Sequence, residues 1–175
     1  MKRGFADTPH GQIHYVTEGL GYPILCFHKT PTSWWDHAPI LPILGKKYRT
    51  IAMDTLGYGD SDKPPHRYEI SDYVQSVVDF LDVIGISNLT LVAVSTGSVI
   101  ASEVAITHPE RVDKLIIGGY PLYSQEELEQ RKKELPITVR AIEPGVPKID
   151  GSHLIAAWNW AKYTIDFDTS LQFGM

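Results

Sequence analysis

The feature that most constrains the fold is a turn at Ser95 that leaves no room for a loop. The apolar run Leu89–Val94 is typical of a buried strand, and a helical pattern begins at Thr96, one residue after the turn. So tight a turn strains the backbone of its central residue and requires small residues two positions before and after it, here Ala93 and Gly97. The pattern therefore places the Ser95 hydroxyl at the carboxyl edge of a sheet and at the start of a helix.

Two interpretations of Ser95 follow from this position. In the first, the exposed hydroxyl is a nucleophile, and the Thr96 N–H at the positive end of the helix stabilises a developing oxyanion. In the second, Ser95 is only the N-cap of the helix. The local pattern alone leaves both open.

The elements around the turn predict the fold class. Short apolar runs, typical of strands buried on both faces, occur at Ile24–Phe27, Tyr48–Met53, Leu89–Val94 and Leu115–Ile117. Two alternating segments, 3–7 and 12–17, predict an antiparallel hairpin ahead of them. The strands alternate with helical patterns, so we expect an α/β fold with a mainly parallel sheet and helices on both faces.

Two helical patterns separate the strands. Apolar residues at spacings of three and four run from Ile70 to Ile84, where Ser71 is predicted to cap the helix and Gly85 to end it. The second pattern, from Val99 to Ile106, continues directly out of the turn at Ser95. Both helices should pack one apolar face on the sheet.

The character of the sequence changes after Tyr120. Residues 124–127 read Ser-Gln-Glu-Glu, a capping box that opens a polar helix. A loop is predicted at 144–147 and a second helix at 153–165, and no further strand of the parallel type follows. We therefore divide the chain into a core at 1–123 and a helical segment at 124–175.

Composition limits the partners that the chain can have. The net charge is −5, and no stripe of Lys and Arg is present, so a nucleic-acid partner is not expected. No apolar run reaches the roughly 18–20 residues that a membrane span requires. Cys26 is the single cysteine and lies in an apolar run, which favours a buried thiol and a reducing cytoplasm.

Three further motifs carry a family resemblance. His28-Lys29-Thr30-Pro31 resembles the His-Gly-x-Pro oxyanion loop of the α/β-hydrolases of the epoxide hydrolase, dehalogenase and esterase type. Asp54 opens a segment, 54–64, that closely matches the Asp-x-x-Gly-x-Gly-x-Ser-x-x-Pro loop of the same family. Residues 108–112 resemble the link into the next strand. The likeness covers roughly residues 10–123 of this N-terminal part of the fold.

The resemblance implies a role for each matching residue. Thr30 is expected to supply the second oxyanion N–H beside that of Thr96, and His28 to serve a structural role in its loop. Lys29 stands where glycine is usual, so we expect either a differently shaped oxyanion loop or a cation beside the pocket. We expect Tyr120 to line the pocket or to organise its loops, and the residues after Tyr120 to begin a cap over the pocket.

Two other residues are candidates for the pocket or its loops. The Asp54 carboxylate is expected to organise the glycine-rich loop that follows it, rather than to act in catalysis. Trp35, the second residue of an aromatic pair, is expected to line the pocket or to pack beneath the cap.

The identity of the nucleophile narrows the chemistry. Epoxide hydrolases and haloalkane dehalogenases attack carbon with a carboxylate, whereas Ser95 points to hydrolysis of an ester, lactone or related acyl group of a small molecule. No cofactor and no metal are expected. A binding homologue without catalysis, a lyase and a cofactor-free haloperoxidase remain alternatives, because fold does not decide between them.

The chain lacks a clear base for Ser95. In this fold the acid and then the histidine follow the serine, yet only His108 and His153 do so here. His108 lies about 20 Å along the same helix, and His153 falls in the cap-like segment. Lys29 is a further candidate base. We expect the chain alone to be nearly inactive and to need a complementing C-terminal portion, or to self-associate through an open sheet edge.

Overall fold

The computed structural model describes residues 1–131 and 133 of the chain. The chain divides into two compact units, Met1–Pro121 and Leu122–Met175. The predicted loop at 144–147, the predicted helix at 153–165 and His153 lie outside the described residues.

The first unit holds a six-stranded sheet, in the spatial order β1-β2-β4-β3-β5-β6. β1 pairs antiparallel with β2, and β2 with β4, whereas β4, β3, β5 and β6 run parallel. The mainly parallel sheet confirms the predicted fold class. The strands are β1 (Lys2–Thr8), β2 (Gly11–Glu18), β3 (Pro23–Phe27), β4 (Arg49–Met53), β5 (Leu89–Val94) and β6 (Val112–Gly118).

Helices cover both faces of this sheet, as the alternating pattern predicts. One face packs against α2 (Ile70–Val83) and α3 (Thr96–Thr107). The other face packs against a 3₁₀ helix (Trp34–His37) and the short α1 (Leu41–Leu44). A second 3₁₀ turn, Pro109–Arg111, leads into β6.

The central strands supply side chains to both cores. In β3, Leu25 and Phe27 face the core under α2 and α3, whereas Ile24 and Cys26 face the opposite core. All four are buried, which explains why the run is apolar at every position. Burial raises the pKa of the Cys26 thiol to about 12, so this cysteine is a packing group and not a reactive thiol.

The start of α2 differs from the sequence prediction. The predicted cap, Ser71, is exposed and lies inside the helix; Glu69 is the N-cap residue. The Asp72 carboxylate accepts a hydrogen bond from the Glu69 N–H at 2.8 Å. The predicted N-cap was therefore wrong by two residues, because the acidic side chain at the third helical position accepts a hydrogen bond from the N–H of the true N-cap residue. The predicted end is confirmed, with Gly85 at φ +70° just after the C-cap.

The order of the parallel strands fixes where a ligand can bind. The chain goes from β3 to β4 on one side and then crosses to β5 on the other side of β3. This reversal is a topological switch point, and ligands of open α/β sheets bind at the carboxyl ends of the strands that flank it. Phe27 and Ala93 are paired near the ends of β3 and β5, so the loops that follow these strands start side by side.

In the described part of the second unit, the helix covers 125–131. The Ser124 N–H donates to the Glu127 carboxylate at 2.7 Å, and the Glu127 N–H donates to the Ser124 hydroxyl at 3.2 Å. The hydrogen bonds that the Ser124 backbone N–H and then its side chain give to the carboxylate lower the pKa of Glu127. The predicted capping box is confirmed.

Candidate active site

Ser95 occupies a strained turn between β5 and α3. Its φ of 51° and ψ of −122° are outside the usual regions, and it is the one residue other than glycine with positive φ in the described part of the chain. Such a conformation costs of order 1–3 kcal/mol and persists only where neighbouring structure enforces it. Here the Ser95 N–H donates to the Gly118 carbonyl at the end of β6 at 2.9 Å, and the Ser98 N–H donates to the Ser95 carbonyl at 2.9 Å.

The Ser95 hydroxyl is half-buried and makes no hydrogen bond to the rest of the described residues. In particular, it makes no capping bond to the first turn of α3. Ser95 stands at the N-cap position of α3 but does not make the side-chain hydrogen bond by which a serine stabilises that position, so the geometry does not favour a role in capping alone. The strain instead presents an uncommitted hydroxyl at the switch point of the sheet.

The turn requires close approach of two backbones. A Cβ placed on Gly97 would lie 2.6 Å from the His28 carbonyl oxygen and 2.8 Å from the Phe27 carbonyl oxygen. Both neighbours are main-chain atoms that cannot move aside cheaply. Ala93, two residues before the serine, is buried as well. Both flanking positions are therefore tightly enclosed, as the sequence pattern requires.

The loop after β3 reaches the same spot. The Lys29 carbonyl accepts hydrogen bonds from the Thr32 N–H at 3.0 Å and from the Thr32 hydroxyl. The Asp36 carboxylate accepts from the Lys29 N–H at 3.1 Å and also from the Thr32 hydroxyl. The loop is therefore held by one backbone hydrogen bond and by the side chains of Thr32 and Asp36, with Lys29 and Thr30 exposed. The sequence did not single out Asp36 for this role, because the contacts depend on how the loop curls.

The two predicted oxyanion donors, Thr30 and Thr96, lie together. The Thr30 N–H donates to the Thr96 Oγ1 at 2.6 Å, and the Thr96 hydroxyl donates to the Thr30 Oγ1 at 3.0 Å. The Thr96 N–H is at the first position of α3, where no intrahelical acceptor exists. The arrangement can hold an oxygen atom near Ser95 once the Thr30 N–H is released.

His28 is buried behind this loop with both ring nitrogens engaged. Its Nδ1 donates to the Lys29 carbonyl at 2.8 Å, and its Nε2 accepts from the N–H and hydroxyl of Thr55, each at 3.0 Å. Burial lowers the pKa of His28, which keeps the ring neutral. Since Nε2 is already occupied, His28 supports the loop and is not placed to deprotonate Ser95. Thr55 is a partner that the sequence reading missed.

Asp54 organises the loops on the other side. Its carboxylate is fully buried and accepts from the Trp34 N–H at 2.7 Å, the Asp60 N–H at 3.0 Å and the His14 Nδ1 at 2.8 Å. The Asp54 carbonyl accepts from the Ser61 hydroxyl at 2.7 Å. These partners lie on three different segments of the chain, and the carboxylate holds the three segments together.

His14, Asp54 and Asp60 also place one potential metal-ligating atom each within 4.8 Å of one another. A cationic side chain already binds two of these three residues: the Arg3 guanidinium donates to His14 Nε2 at 3.0 Å and pairs with the Asp60 carboxylate. These donors fit a hydrogen-bonded network around an arginine better than a metal site.

The remaining candidates lie near the surface. Trp35 is exposed and stacks on the buried Trp34, with ring centroids 4.6 Å apart. Tyr120 is exposed just beyond β6 and makes no hydrogen bond or ring contact with the other described candidates. The structure thus brings Ser95, Thr96, Thr30, His28 and Lys29 to one edge, whereas neither Trp35 nor Tyr120 forms a hydrogen bond with Ser95.

No histidine or lysine within residues 1–131 and 133 forms a hydrogen bond with the Ser95 hydroxyl, and Lys29, the other candidate base, is exposed on the loop after β3. His37 is buried, which lowers its pKa, and its Nε2 has no hydrogen-bond partner there. His10 pairs with Asp79, and His108 follows the far end of α3. None of them contacts the Ser95 hydroxyl.

Among the helices of the described part, none has the length and apolar content needed to cross a membrane.

Comparisons with known proteins give the context for this geometry. The family profile described as alpha/beta hydrolase fold matches residues 22–140. Haloalkane dehalogenase 2 of Mycobacterium tuberculosis is 33% identical over 114 residues, which are 65% of this chain and 40% of that protein. Epoxide hydrolase 4 of Homo sapiens is 36% identical over 114 residues, 63% of this chain and 32% of that protein.

Among solved structures, the N-acyl homoserine lactonase AidH, complexed with N-butanoyl homoserine, matches with a TM-score of 0.67 and 30% identity. The match covers 74% of this chain and 49% of that chain. The sequence thus spans less than half the length of each of these three proteins.

Proposed function

Since the chain belongs to the alpha/beta hydrolase fold family, we propose that it is the nucleophile-bearing part of a serine hydrolase that acts on a small ester, lactone or related acyl substrate. One observation carries the proposal: Ser95 is held at φ 51° with its hydroxyl uncommitted, beside the first N–H groups of α3. A folded chain keeps such strain where it serves a site.

The type of nucleophile indicates which of the reactions known among the relatives this chain would support. In the proposed reaction a base takes the proton of the serine hydroxyl as its oxygen attacks the carbonyl carbon, the bond between the acyl carbon and the alcohol oxygen breaks, and the alcohol group leaves with that proton. Water then cleaves the acyl-enzyme. The developing oxyanion would accept from the Thr96 and Thr30 N–H groups, which stand at the same edge of the sheet. The similarity to an N-acyl homoserine lactonase agrees with an acyl substrate, whereas names of other relatives refer to haloalkanes and epoxides.

The base and its orienting acid are proposed to come from outside the described residues. The outer edge of β6 has no strand paired to it in the described part of the sheet. Ile116 and Ile117 on that strand are 57% and 43% exposed. We propose that a complementing C-terminal portion pairs there and brings an Asp or Glu and a His to Ser95; self-association through the same edge is the alternative partner.

The remaining features complete the proposal. We propose that the cap predicted for residues 124–175 sets substrate choice; most of that segment lies outside the described residues. The protein works in the cytoplasm on a small molecule and has neither a nucleic-acid nor a membrane partner. No cofactor and no metal take part, because serine chemistry needs only proton transfer and oxyanion stabilisation.

A binding protein that has kept the pocket is the second candidate. The observation that favours it is that no histidine of the described part forms a hydrogen bond with the Ser95 hydroxyl. The two candidates differ in turnover, which is directly measurable.

The test uses the protein expressed from its own complete gene and the matched variant Ser95→Ala. Each is assayed on a p-nitrophenyl ester, an N-acyl homoserine lactone, a haloalkane and an epoxide. We expect turnover of the ester or lactone that falls at least about 10³-fold in the variant. Turnover of the haloalkane or epoxide alone, or of none of the four, would contradict the proposal, and the latter result would favour the binding protein.

A further inference from the structure

The side chain of Thr96 lies where a substrate oxygen would be expected. Its Oγ1 accepts from the Thr30 N–H at 2.6 Å, and its hydroxyl proton is directed to the Thr30 Oγ1 at 3.0 Å. The two residues are 66 positions apart in the sequence: Thr30 lies on the loop that follows β3, and Thr96 is the first residue of α3, directly after the turn that ends β5. The hydroxyl therefore bridges the two halves of the switch point.

This bond uses a donor that the chemistry requires. An oxyanion hole works by directing N–H groups at the oxygen that gains charge, and the Thr30 N–H is one of the two available here. A second oxygen cannot take the same short bond while Thr96 Oγ1 holds it. The Thr96 side chain consequently occupies the position at which the Thr30 N–H would bind a substrate oxygen.

Thr96 is able to move away. It occupies the first position of α3, is only half-buried, and has a short side chain. Threonine in helices divides between two χ1 rotamers, so rotation about one bond moves Oγ1 off the Thr30 N–H. Hydrogen bonds to a charged acceptor are roughly twice as strong as those to a neutral one, so an oxyanion competes with the hydroxyl better than a neutral carbonyl does.

We propose that the Thr96 hydroxyl is a built-in occupant of the oxyanion site: a positioning residue that holds the Thr30 N–H until a substrate oxygen replaces it. This inference rests on the proposed function, since it takes Thr30 and Thr96 as the oxyanion donors. It adds that Thr96 acts through its side chain as well as its backbone, and that this side chain opposes binding of weak acceptors.

The first test measures amide hydrogen exchange of Thr30 in the 175-residue chain by NMR. Thr96→Ala removes the acceptor, and Thr96→Ser keeps it and serves as the matched control. We expect Thr30 to exchange about tenfold faster in the alanine variant and at nearly the original rate in the serine variant. Equal exchange in the alanine variant and the unmodified chain would overturn the inference, provided that thermal unfolding shows both folded.

The second test measures the rate of fluorophosphonate labelling of Ser95 in the protein expressed from its complete gene. Removing the occupant should accelerate labelling several-fold in Thr96→Ala and leave Thr96→Ser close to the unmodified protein. Slower labelling in Thr96→Ala would show that the side chain only supports the turn, and would overturn the inference.

The two tests separate the two proposals. Labelling of the unmodified protein with no change in Thr30 exchange would reject the occupant and leave the hydrolase proposal standing. Faster Thr30 exchange in Thr96→Ala without labelling of any form would reject the hydrolase proposal, while the occupied N–H would be established.

Discussion

At the residue scale, the site depends on positions where backbone geometry dictates the side chain. Ser95 accepts an unfavourable φ because the carbonyl of Gly118 and the N–H of Ser98 fix its peptide groups. Gly97 lies against the main chain of Phe27 and His28, where a methyl group has no space. The uncommitted hydroxyl of Ser95 and the glycine at position 97 are thus two consequences of one tight turn.

Gly97→Ala should test this packing. The added Cβ would meet two carbonyl oxygens at 2.6 and 2.8 Å, so we expect the free energy of unfolding to fall by about 1–3 kcal/mol. Urea denaturation monitored by circular dichroism measures the change. Gly118→Ala is the matched control, because its Cβ would meet only the Val94 side chain at 3.8 Å; a loss as large there would show that close approach is not the reason.

At the element scale, the start of α2 shows how local contacts define a helix boundary. The helix is amphipathic and buries Val74, Val77, Phe80 and Leu81 against the sheet. At its first turn, the Asp72 carboxylate accepts a hydrogen bond from the Glu69 N–H. Ser71, although a residue type that commonly caps helices, points into solvent one position inside the helix.

Asp72→Ala should therefore destabilise the chain and Ser71→Ala should not. Loss of the carboxylate leaves the Glu69 N–H without its acceptor and removes a negative charge from the helix N-terminus. The expected cost is about 1 kcal/mol, against less than about 0.5 kcal/mol for the serine. Chemical denaturation of both variants decides; the reverse order would restore Ser71 as the cap.

Strands that are buried on both faces were predictable from the sequence. Hydrogen bonds between residues far apart in the chain were less predictable. β3 and β5 are apolar at nearly every position because each faces two cores, and their bounds agree with the prediction to within one residue. The pairing of Thr30 with Thr96 and of His28 with Thr55 depends on how loops meet in space. No periodicity or spacing in the sequence encodes those partners.

At the scale of the whole molecule, the two edges of the sheet differ. β1 forms one edge and carries Lys2 and Arg3, charges that discourage further strand pairing. β6 forms the other edge and exposes Ile116 and Ile117. The chain spans about 40% of the length of its mycobacterial dehalogenase relative, so the β6 edge is where we expect additional structure to join.

Ile116→Lys should reduce self-association of the 175-residue chain. The substitution puts a charge on the open edge strand, where an exposed apolar side chain favours pairing with another copy. Sedimentation velocity at several concentrations should show a shift toward monomer. Ile106→Lys is the matched control, since Ile106 is 72% exposed on α3, away from the edge strand; an equal shift there would contradict a role for the β6 edge.

The central claim is that Ser95 is an activated nucleophile in the intact protein. The most direct measurement is mass spectrometry of the protein from its complete gene after treatment with a fluorophosphonate, with peptide mapping of the adduct. We predict a single adduct, located on Ser95 and absent from the Ser95→Ala variant. A protein that stays unlabelled, or an adduct that persists in the variant, would contradict the claim.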